Sequence, residues 1–416
     1  MPAPPRVLVI VEDLPVPFDR RVWNEITALK AAGYEVSAVC RKGPGFEAPY
    51  EVVDGAHVYR HDLPVEADRP LDYFREYAYA LWSELRLARR VRRERGFDVV
   101  HICNPPDLLF LVATWFKYLH GTAVIFDQHD VGPELYEAKF GRRDALYRVL
   151  RLSERLSFAV ADVAIATNES YRSVAVGRGR KHPDDVFVVR NGPDLARFQK
   201  AAGGETPWRT RRHLVGYAGT MGHQEGIDYL LRAVRYLVRD LGRDDVSFVI
   251  IGGGTALEGS KALAGDLGVA EYVEFTGRIP DAELIARLGS CDLCVDPGPA
   301  TPFNSMSTMN KILEYMALEK PIVQFDLLEG RRSAGEASLY AADNDFRDLA
   351  RQMAELLDDP DRRARMGAEG RRRVEEKLEW RHQVPGLLAA YERALTYRRR
   401  GLPSLLGRPR RARDPE

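Results

Sequence analysis

Leu214-Val-Gly-Tyr-Ala-Gly-Thr-Met-Gly222 is the stretch on which the architecture of this chain turns. A short apolar run ends in a turn of small residues, and a helical pattern follows over Ile227–Leu241. This strand–turn–helix unit is a restart. From Asn191-Gly192-Pro193 to about Arg212 the sequence is polar and rich in turn residues. Before that gap, apolar runs at Arg6–Val11, Tyr34–Cys40, Val99–Ile102, Ala123–Phe126, Val163–Ala166 and Val186–Val189 alternate with helical segments. After it the alternation continues through Ser247–Ile251, Tyr272–Phe275, Leu293–Asp296 and Pro321–Phe325. Two such series predict an α/β protein with two doubly wound parallel sheets, facing each other across a cleft, with ligands at the strands' carboxyl ends. The expected domains are 1–198 and 214–380, joined by a linker at 199–213. A helix at 381–396 follows, then a disordered basic tail at 397–416 with seven Arg against Asp414 and Glu416.

Composition narrows the function classes. The 416 residues exceed one ordinary domain of ~150 residues. Hydrophobic residues at 45% and charged residues at 29% exclude a disordered or fibrous chain. Lys+Arg 61 cancels Asp+Glu 61, so no global charge points to nucleic acid. Of those cations 51 are Arg and 10 are Lys, so a lone Arg carries little weight as a phosphate ligand. Four cysteines exclude a disulfide scaffold. Cys291 and Cys294 form a C-x-x-C, but in a strand they would point to opposite faces, so neither a redox nor a metal role is expected. No amino-terminal leader pattern is present, and the apolar span Leu108–Phe116 is too short to cross a bilayer. A cytosolic protein is expected.

Several motifs carry little chemistry. Gly254–Lys261 has Ser and Lys in the wrong order for a phosphate-binding P-loop. The first strand ends in Val11-Glu12-Asp13 without glycine, which disfavours a dinucleotide oxidoreductase. Asp343-Asn344-Asp345 reads as a helix cap before Phe346–Leu357 in preference to a metal site. The stronger signal is Ser305-Met-Ser307-Thr308-Met-Asn310-Lys311-Ile-Leu-Glu314, a polar loop entering a helix after the strand Leu293–Asp296. Hydroxyls and backbone N–H groups at a helix start bind anions, Lys311 adds charge, and Glu314 could accept from a ribose diol. An ordinary capped helix explains the same residues equally well. Gly219 and Thr220 lie in the turn after Ala218, where small residues admit a phosphate, and Arg278 follows another strand end. His129, in Asp127-Gln128-His129-Asp130, closes a first-domain strand and could act as acid, base or hydrogen-bond partner.

Together these residues resemble the retaining GT-B glycosyltransferases of family four, the glycosyl transferases group 1 type. The likeness runs from about Arg6 to Leu395. It rests on Asp19–Glu25, Asp127–Asp130, Asn191–Asp194, Gly216–Gly222, Phe275–Arg278 and Asn310–Ala317. The resemblance implies the GT-B fold, with two Rossmann-like domains and a last helix crossing back to the first. It implies an acceptor held by the first domain and a nucleotide diphosphate sugar held by the second, with no cofactor and no catalytic metal. Glu314 takes the place of the family's ribose-binding Glu, and His129 that of the histidine at the donor sugar or reaction centre. The donor set is then Gly219, Thr220, Arg278, Ser307, Thr308, Lys311 and Glu314. Met306 stands where the family carries a second Glu. Thr220 and Glu225 stand near its usual diphosphate-binding Arg and Lys. Leu14–Phe18 replaces its glycine-rich loop.

The resulting expectation is a retaining hexosyltransferase of polysaccharide or glycolipid assembly, acting on a saccharide or lipid-linked hydroxyl acceptor. The rivals are a nucleotide-sugar 2-epimerase of the same architecture and a non-catalytic scaffold subunit. No nucleic-acid partner is expected. The basic helix around Arg86–Arg95 could bring the protein to the inner membrane face, although a solvated helix face accounts for it too.

Overall fold

The computed structural model describes residues 3–63, 70–198 and 207–400; residues 199–206 of the expected linker and 401–416 of the expected tail lie outside them. The chain forms two compact units. One comprises the chain up to Pro133, then Arg143–Val189 and the chain from Val384; the other comprises Glu134–Arg142 and Arg190–Gln383.

The first unit is built on an eight-stranded sheet. Its strands are β1 (Arg6–Val11), β2 (Glu35–Arg41), β3 (Tyr50–Val53), β4 (Ala56–His61), β5 (Val99–Cys103), β6 (Ala123–Gln128), β7 (Val163–Ala166) and β8 (Val186–Val188). Their order is β3-β4-β2-β1-β5-β6-β7-β8, and every pairing is parallel except β3 with β4. β1, β5, β6 and β7 are apolar and buried along nearly their whole length, as strands covered on both faces must be. Six helices occur along this stretch of chain: α1 (Arg20–Ala31), α2 (Pro70–Glu94), α3 (Phe110–His120), α4 (Gly132–Phe140), most of which belongs to the second unit, α5 (Ala145–Val160) and α6 (Glu169–Val176). Asp19 caps α1 by accepting from the Val22 N–H at 3.1 Å.

The second unit carries a six-stranded, wholly parallel sheet in the order β11-β10-β9-β12-β13-β14. The strands are β9 (His213–Ala218), β10 (Val246–Ile251), β11 (Val273–Gly277), β12 (Leu293–Asp296), β13 (Ile322–Phe325) and β14 (Ser338–Ala341). Apolar residues of β9, β10, β12 and β13 form the centre of its core.

Three features differ from the sequence reading. β3, β4 and β14 were not expected. β3 is largely exposed, Tyr50 and Val52 included, but Asp54 and Gly55 between β3 and β4 have φ of 47° and 80°, the geometry for which Asp-Gly hairpin turns are favoured. The change of unit falls at Val189 and Arg190, earlier than 199–213. The reason is packing: Phe198 is buried in a second-unit cluster with Leu378 and Leu195, and Arg197 pairs with Asp281 at 2.9 Å. The closing helix runs Trp380–Arg400, so residues 397–400 of the expected tail are helical.

From Val384 onward that helix belongs to the first unit. Tyr391 is fully buried, and its hydroxyl lies 2.6 Å from His101 Nδ1. Arg393 pairs with Asp185 and Arg398 with Asp98, each at 2.8 Å. Truncating Tyr391 would leave a cavity beside a buried imidazole. Tyr391→Ala should destabilise the first unit by roughly 3–5 kcal/mol. Tyr391→Phe should cost roughly 1–3 kcal/mol by leaving the imidazole unpaired. Denaturant titration of the three proteins checks the order.

Candidate functional site

The first unit gathers a buried polar group at the carboxyl ends of β5 and β6. Asp127, wholly buried, accepts from Arg21 Nε at 2.9 Å and from a terminal Arg21 nitrogen at 2.8 Å. The same guanidinium donates to the Val189 carbonyl at 2.9 Å and lies 3.2 Å from Glu25. His129 Nε2 donates to Asp127 at 2.7 Å. Burial pushes the Asp127 carboxyl upward, but Arg21, then His129 and His101, hold it well below the usual carboxylate range. Glu25 goes the other way, raised well above its usual range by burial and then by Asp127. The two buried carboxyls are thus driven in opposite directions. With Nε2–H committed to Asp127, His129 keeps Nδ1 as an acceptor, and the side chain is only partly buried.

The backbone of His129 is also fixed. Asn104 Oδ1 accepts from the His129 N–H at 2.7 Å and the Asp130 N–H at 3.2 Å. Asn104 Nδ2 donates to Asp107 at 2.9 Å. Asp107 is buried, and burial, then Glu154, push its carboxyl up to about 7. Sequence reading singled out His129 and Asp127 but missed Asn104 and Asp107. Their spacing in Asn104-Pro-Pro-Asp107 becomes meaningful only once β5 and β6 lie side by side.

In the second unit the predicted donor residues converge on the carboxyl edge of the sheet, in the loops after β9, β11 and β12. Gly219 donates its N–H to the Ile251 carbonyl, and Met221 to Gly253, so the loops after β9 and β10 run together. Gly252 has φ +134°, and a Cβ there would sit 1.9 Å from the Gly219 carbonyl oxygen; only glycine fits. Thr220 is exposed in its loop. The expected helix Thr308–Leu318 is present as Asn310–Ala317, and a further short helix, Pro302–Met306, precedes it, separated by the non-helical Ser307–Met309. Ser307 is buried, and its hydroxyl donates to Phe303 at 2.8 Å. Thr308 Oγ1 lies 3.5 Å from Arg190, a residue the sequence reading did not select. Glu314 is half-buried on the second turn of its helix.

Lys311 is already engaged by neighbouring side chains. It is buried, with Nζ 2.5 Å from Glu225, 3.3 Å from Asp296 and 3.4 Å from the Tyr217 hydroxyl. Burial lowers its pKa, yet Asp296, Tyr217 and Glu225 together raise it well above the usual range. The ammonium is thus a charged tie between the loop after β9 and the end of β12, its charge already balanced by carboxylates. The cation left open is Arg278. It is exposed beside Gly253 and makes no ion pair among the described residues. Asn304, two residues before Met306, donates to the Gln224 and Pro299 carbonyls at 2.9 Å each.

Two buried groups have metal-ligand composition, His101–Cys103–Asp127 and Glu12–His61–Glu84. In the first, Asp127 already accepts from Arg21 and His129. In the second, Glu12 lies 2.9 Å from His61 Nε2 and raises the imidazole pKa against burial. Burial and Glu12 push Glu84 well above its usual range. Asp345 caps Phe346–Asp358 by accepting from two backbone N–H groups. Cys291 lies just before β12, and a Cβ on Gly216 would meet the Cys291 and Cys294 sulfurs at 2.7 and 3.4 Å. They are thus close neighbours and not on opposite faces.

Residues 19–192 match the family model described as glycosyl transferase 4-like domain, and residues 212–359 match glycosyl transferases group 1. The chain is 27% identical over 323 residues to the MMP α-(1→4)-mannosyltransferase of Mycolicibacterium hassiacum, covering 75% of this chain and 74% of that protein. It is 31% identical over 169 residues to the GDP-mannose-dependent α-(1-6)-phosphatidylinositol monomannoside mannosyltransferase of Mycolicibacterium smegmatis, covering 38% of this chain and 42% of that protein. Sucrose-phosphate synthase from Thermosynechococcus elongatus superposes with a TM-score of 0.76 at 18% identity, over 95% of this chain and 98% of that one. Anabaena HepE in complex with UDP-glucose gives 0.70 at 13% identity, over 93% and 99%. The chain belongs to the family-four-type glycosyltransferases of GT-B fold.

Two predictions follow from the geometry. Lys311→Met strands two carboxylates, one of them fully buried, and should cost roughly 3–5 kcal/mol in the absence of any ligand. A melting curve of the ligand-free protein measures it. Asp107 keeps its proton to about pH 7 when folded but titrates near 4 when unfolded. The folded state binds more protons in that window, so this carboxyl's contribution is full below pH 4 and is lost as pH rises through 7. Asp107→Asn should flatten the decline in melting temperature between pH 4 and 7.

Proposed function

We propose that this glycosyltransferase moves a hexose from a nucleotide diphosphate sugar to a hydroxyl acceptor with retention of anomeric configuration and without a metal or other cofactor. The observation that carries the reading is the edge of the second sheet. There, loops at four strand ends bring together backbone N–H groups, hydroxyls, Glu314 and the unpaired Arg278. In this reading Arg278 and the turn at Gly219–Thr220 hold the diphosphate, aided by Thr308 and the start of the helix Asn310–Ala317. Glu314 accepts from the ribose diol. Ser307 and Lys311 shape the site through the contacts described above.

The reaction breaks the bond between the anomeric carbon and the diphosphate oxygen. It forms a bond from that carbon to the acceptor oxygen, and the acceptor proton passes to the departing diphosphate. Positive charge and N–H donors around the diphosphate stabilise it as it leaves. His129 offers Nδ1 to a hydroxyl at the reaction centre, its ring oriented by Asp127 as an imidazole must be to act reliably. The acceptor is a saccharide or lipid-linked saccharide of polysaccharide or glycolipid assembly at the cytoplasmic face. No described helix is long and apolar enough to cross a membrane. Because two relatives are named as mannosyltransferases, one of them GDP-mannose-dependent, GDP-mannose is the first donor to test. A scaffold role is the second reading, favoured by the commitment of Lys311 to Glu225 and Asp296.

Thermal shift with UDP, GDP, ADP and their sugars, with and without EDTA, separates the two. A donor at a hundred times its dissociation constant adds about 2.7 kcal/mol of stability. One nucleotide series should raise the melting temperature, keep doing so in EDTA, and lose the effect in Glu314→Ala. A folded protein that responds to none of them is a scaffold.

A further inference from the structure

The outer faces of α2, α3 and α5 form an unusual surface on the first unit. α3 packs against both α2 and α5. Its outward stripe is Leu111, Trp115, Tyr118 and Leu119, each exposed and spaced along one side of the helix; Leu119 is 62% exposed. The outward side of α5 carries Leu146, Val149, Leu152 and Leu156, again all exposed. Beside that aliphatic stripe runs a basic one, Arg148, Arg151 and Arg155, spaced three and four apart and without an ion pair among the described residues. α3 contains no carboxylate, and the one in α5, Glu154, is buried and paired with Arg178 at 2.6 Å. α2 adds Trp82, Arg86, Arg89 and Arg93 along one stripe, with Arg86 over the Trp82 ring and Arg89 over Trp115.

The helix Arg86–Arg95, first read as one basic face, is thereby divided. Arg90 pairs with Glu94, Arg92 donates to the Phe97 carbonyl and Arg95 to the Tyr59 hydroxyl. Only Arg86, Arg89 and Arg93 join the shared surface.

A soluble surface rarely leaves this much aromatic and aliphatic side chain uncovered on adjacent elements. The chemistry of the covering partner can be read from the mixture. Leucines and a valine call for an apolar phase, Trp and Tyr for the boundary between apolar and wet, and unpaired arginines for negative charge. Carboxylates, which would repel such a partner, are missing from the outward sides of α3 and α5. We infer that this three-helix face docks on the surface of an anionic phospholipid bilayer, with the aliphatic and aromatic stripes in the headgroup region and the arginines on the lipid phosphates. The inference is independent of the transferase reading, because docking needs neither donor nor acceptor.

Vesicle co-sedimentation of the full chain tests it, using phosphatidylcholine alone and with about one-third phosphatidylglycerol. The protein should partition to the anionic vesicles, less so as salt rises. Arg148→Glu/Arg151→Glu/Arg155→Glu and, separately, Trp115→Ser/Leu119→Ser should each weaken that partition about tenfold or more while leaving the nucleotide-induced thermal shift intact. Should a variant fail to fold, quenching of wild-type tryptophan fluorescence by brominated anionic lipid gives the same answer without substitution. Absence of binding and quenching, or undiminished binding by folded variants, overturns the proposal. So does a lipid-free dimer, seen by light scattering, that both variants convert to monomer, since the face would then belong to a second copy of the chain.

Discussion

The bidentate pair between Arg21 and Asp127 is the constraint on which the first unit depends. Both groups are buried, and an unpaired charge there would be untenable. The pair connects the start of α1 to the end of β6, and through the Val189 carbonyl it holds the point where the chain leaves the sheet. It also determines what His129 can do. With Arg21 in place Asp127 stays ionised, and an ionised Asp127 holds Nε2–H and leaves Nδ1 open. Glu25 nearby is driven the other way, by burial and by Asp127, since two ionised carboxylates beside one guanidinium would leave an excess buried charge.

The second unit solves a similar problem with a different cation. Lys311 sits between Glu225 and Asp296, so three separate stretches of chain meet at one ammonium. Tightly apposed glycine loops beside it leave no space for side chains, which keeps the edge of the sheet lined by backbone. Rigid backbone donors suit a ligand whose charge must be met by fixed dipoles. Arg278 lies exposed beside Gly253 at the same edge.

Much of this was legible in the sequence. Buried parallel strands are continuous apolar runs, so most of β1–β13 could be found within a residue or two. β3 could not be recognised by burial, because it lies on the sheet edge, and β14 is only four residues long in a helix-rich region. The helix at Asn310 was placed within two residues, but the short helix Pro302–Met306 before it was not foreseen, because five residues are too few for a helical period to show. The predicted site residues split on the same principle. Glu314, Thr220 and Arg278 occupy positions that local pattern implies. The fate of the Lys311 charge depended on Glu225, 86 residues away, and Asp296, 15 away, and on the strand order that brings them together. Asn104 and Asp107 act on His129 through a loop contact that only the pairing of β5 with β6 creates.

The closing helix has a consequence for how the molecule is made. Tyr391 lies against His101, 290 residues earlier in the chain, and Arg398 against Asp98. As the nascent chain leaves the ribosome, the strands of the first unit emerge early but lack the side chains that fill this part of their core. The second unit, apart from Glu134–Arg142, is continuous from Arg190 to Gln383 and has all of its residues before the chain from Val384 appears. The order of synthesis and the order of completion are therefore opposite: the unit begun first is finished last. Until the chain from Val384 has emerged, the first sheet lacks the side chains that complete this part of its core.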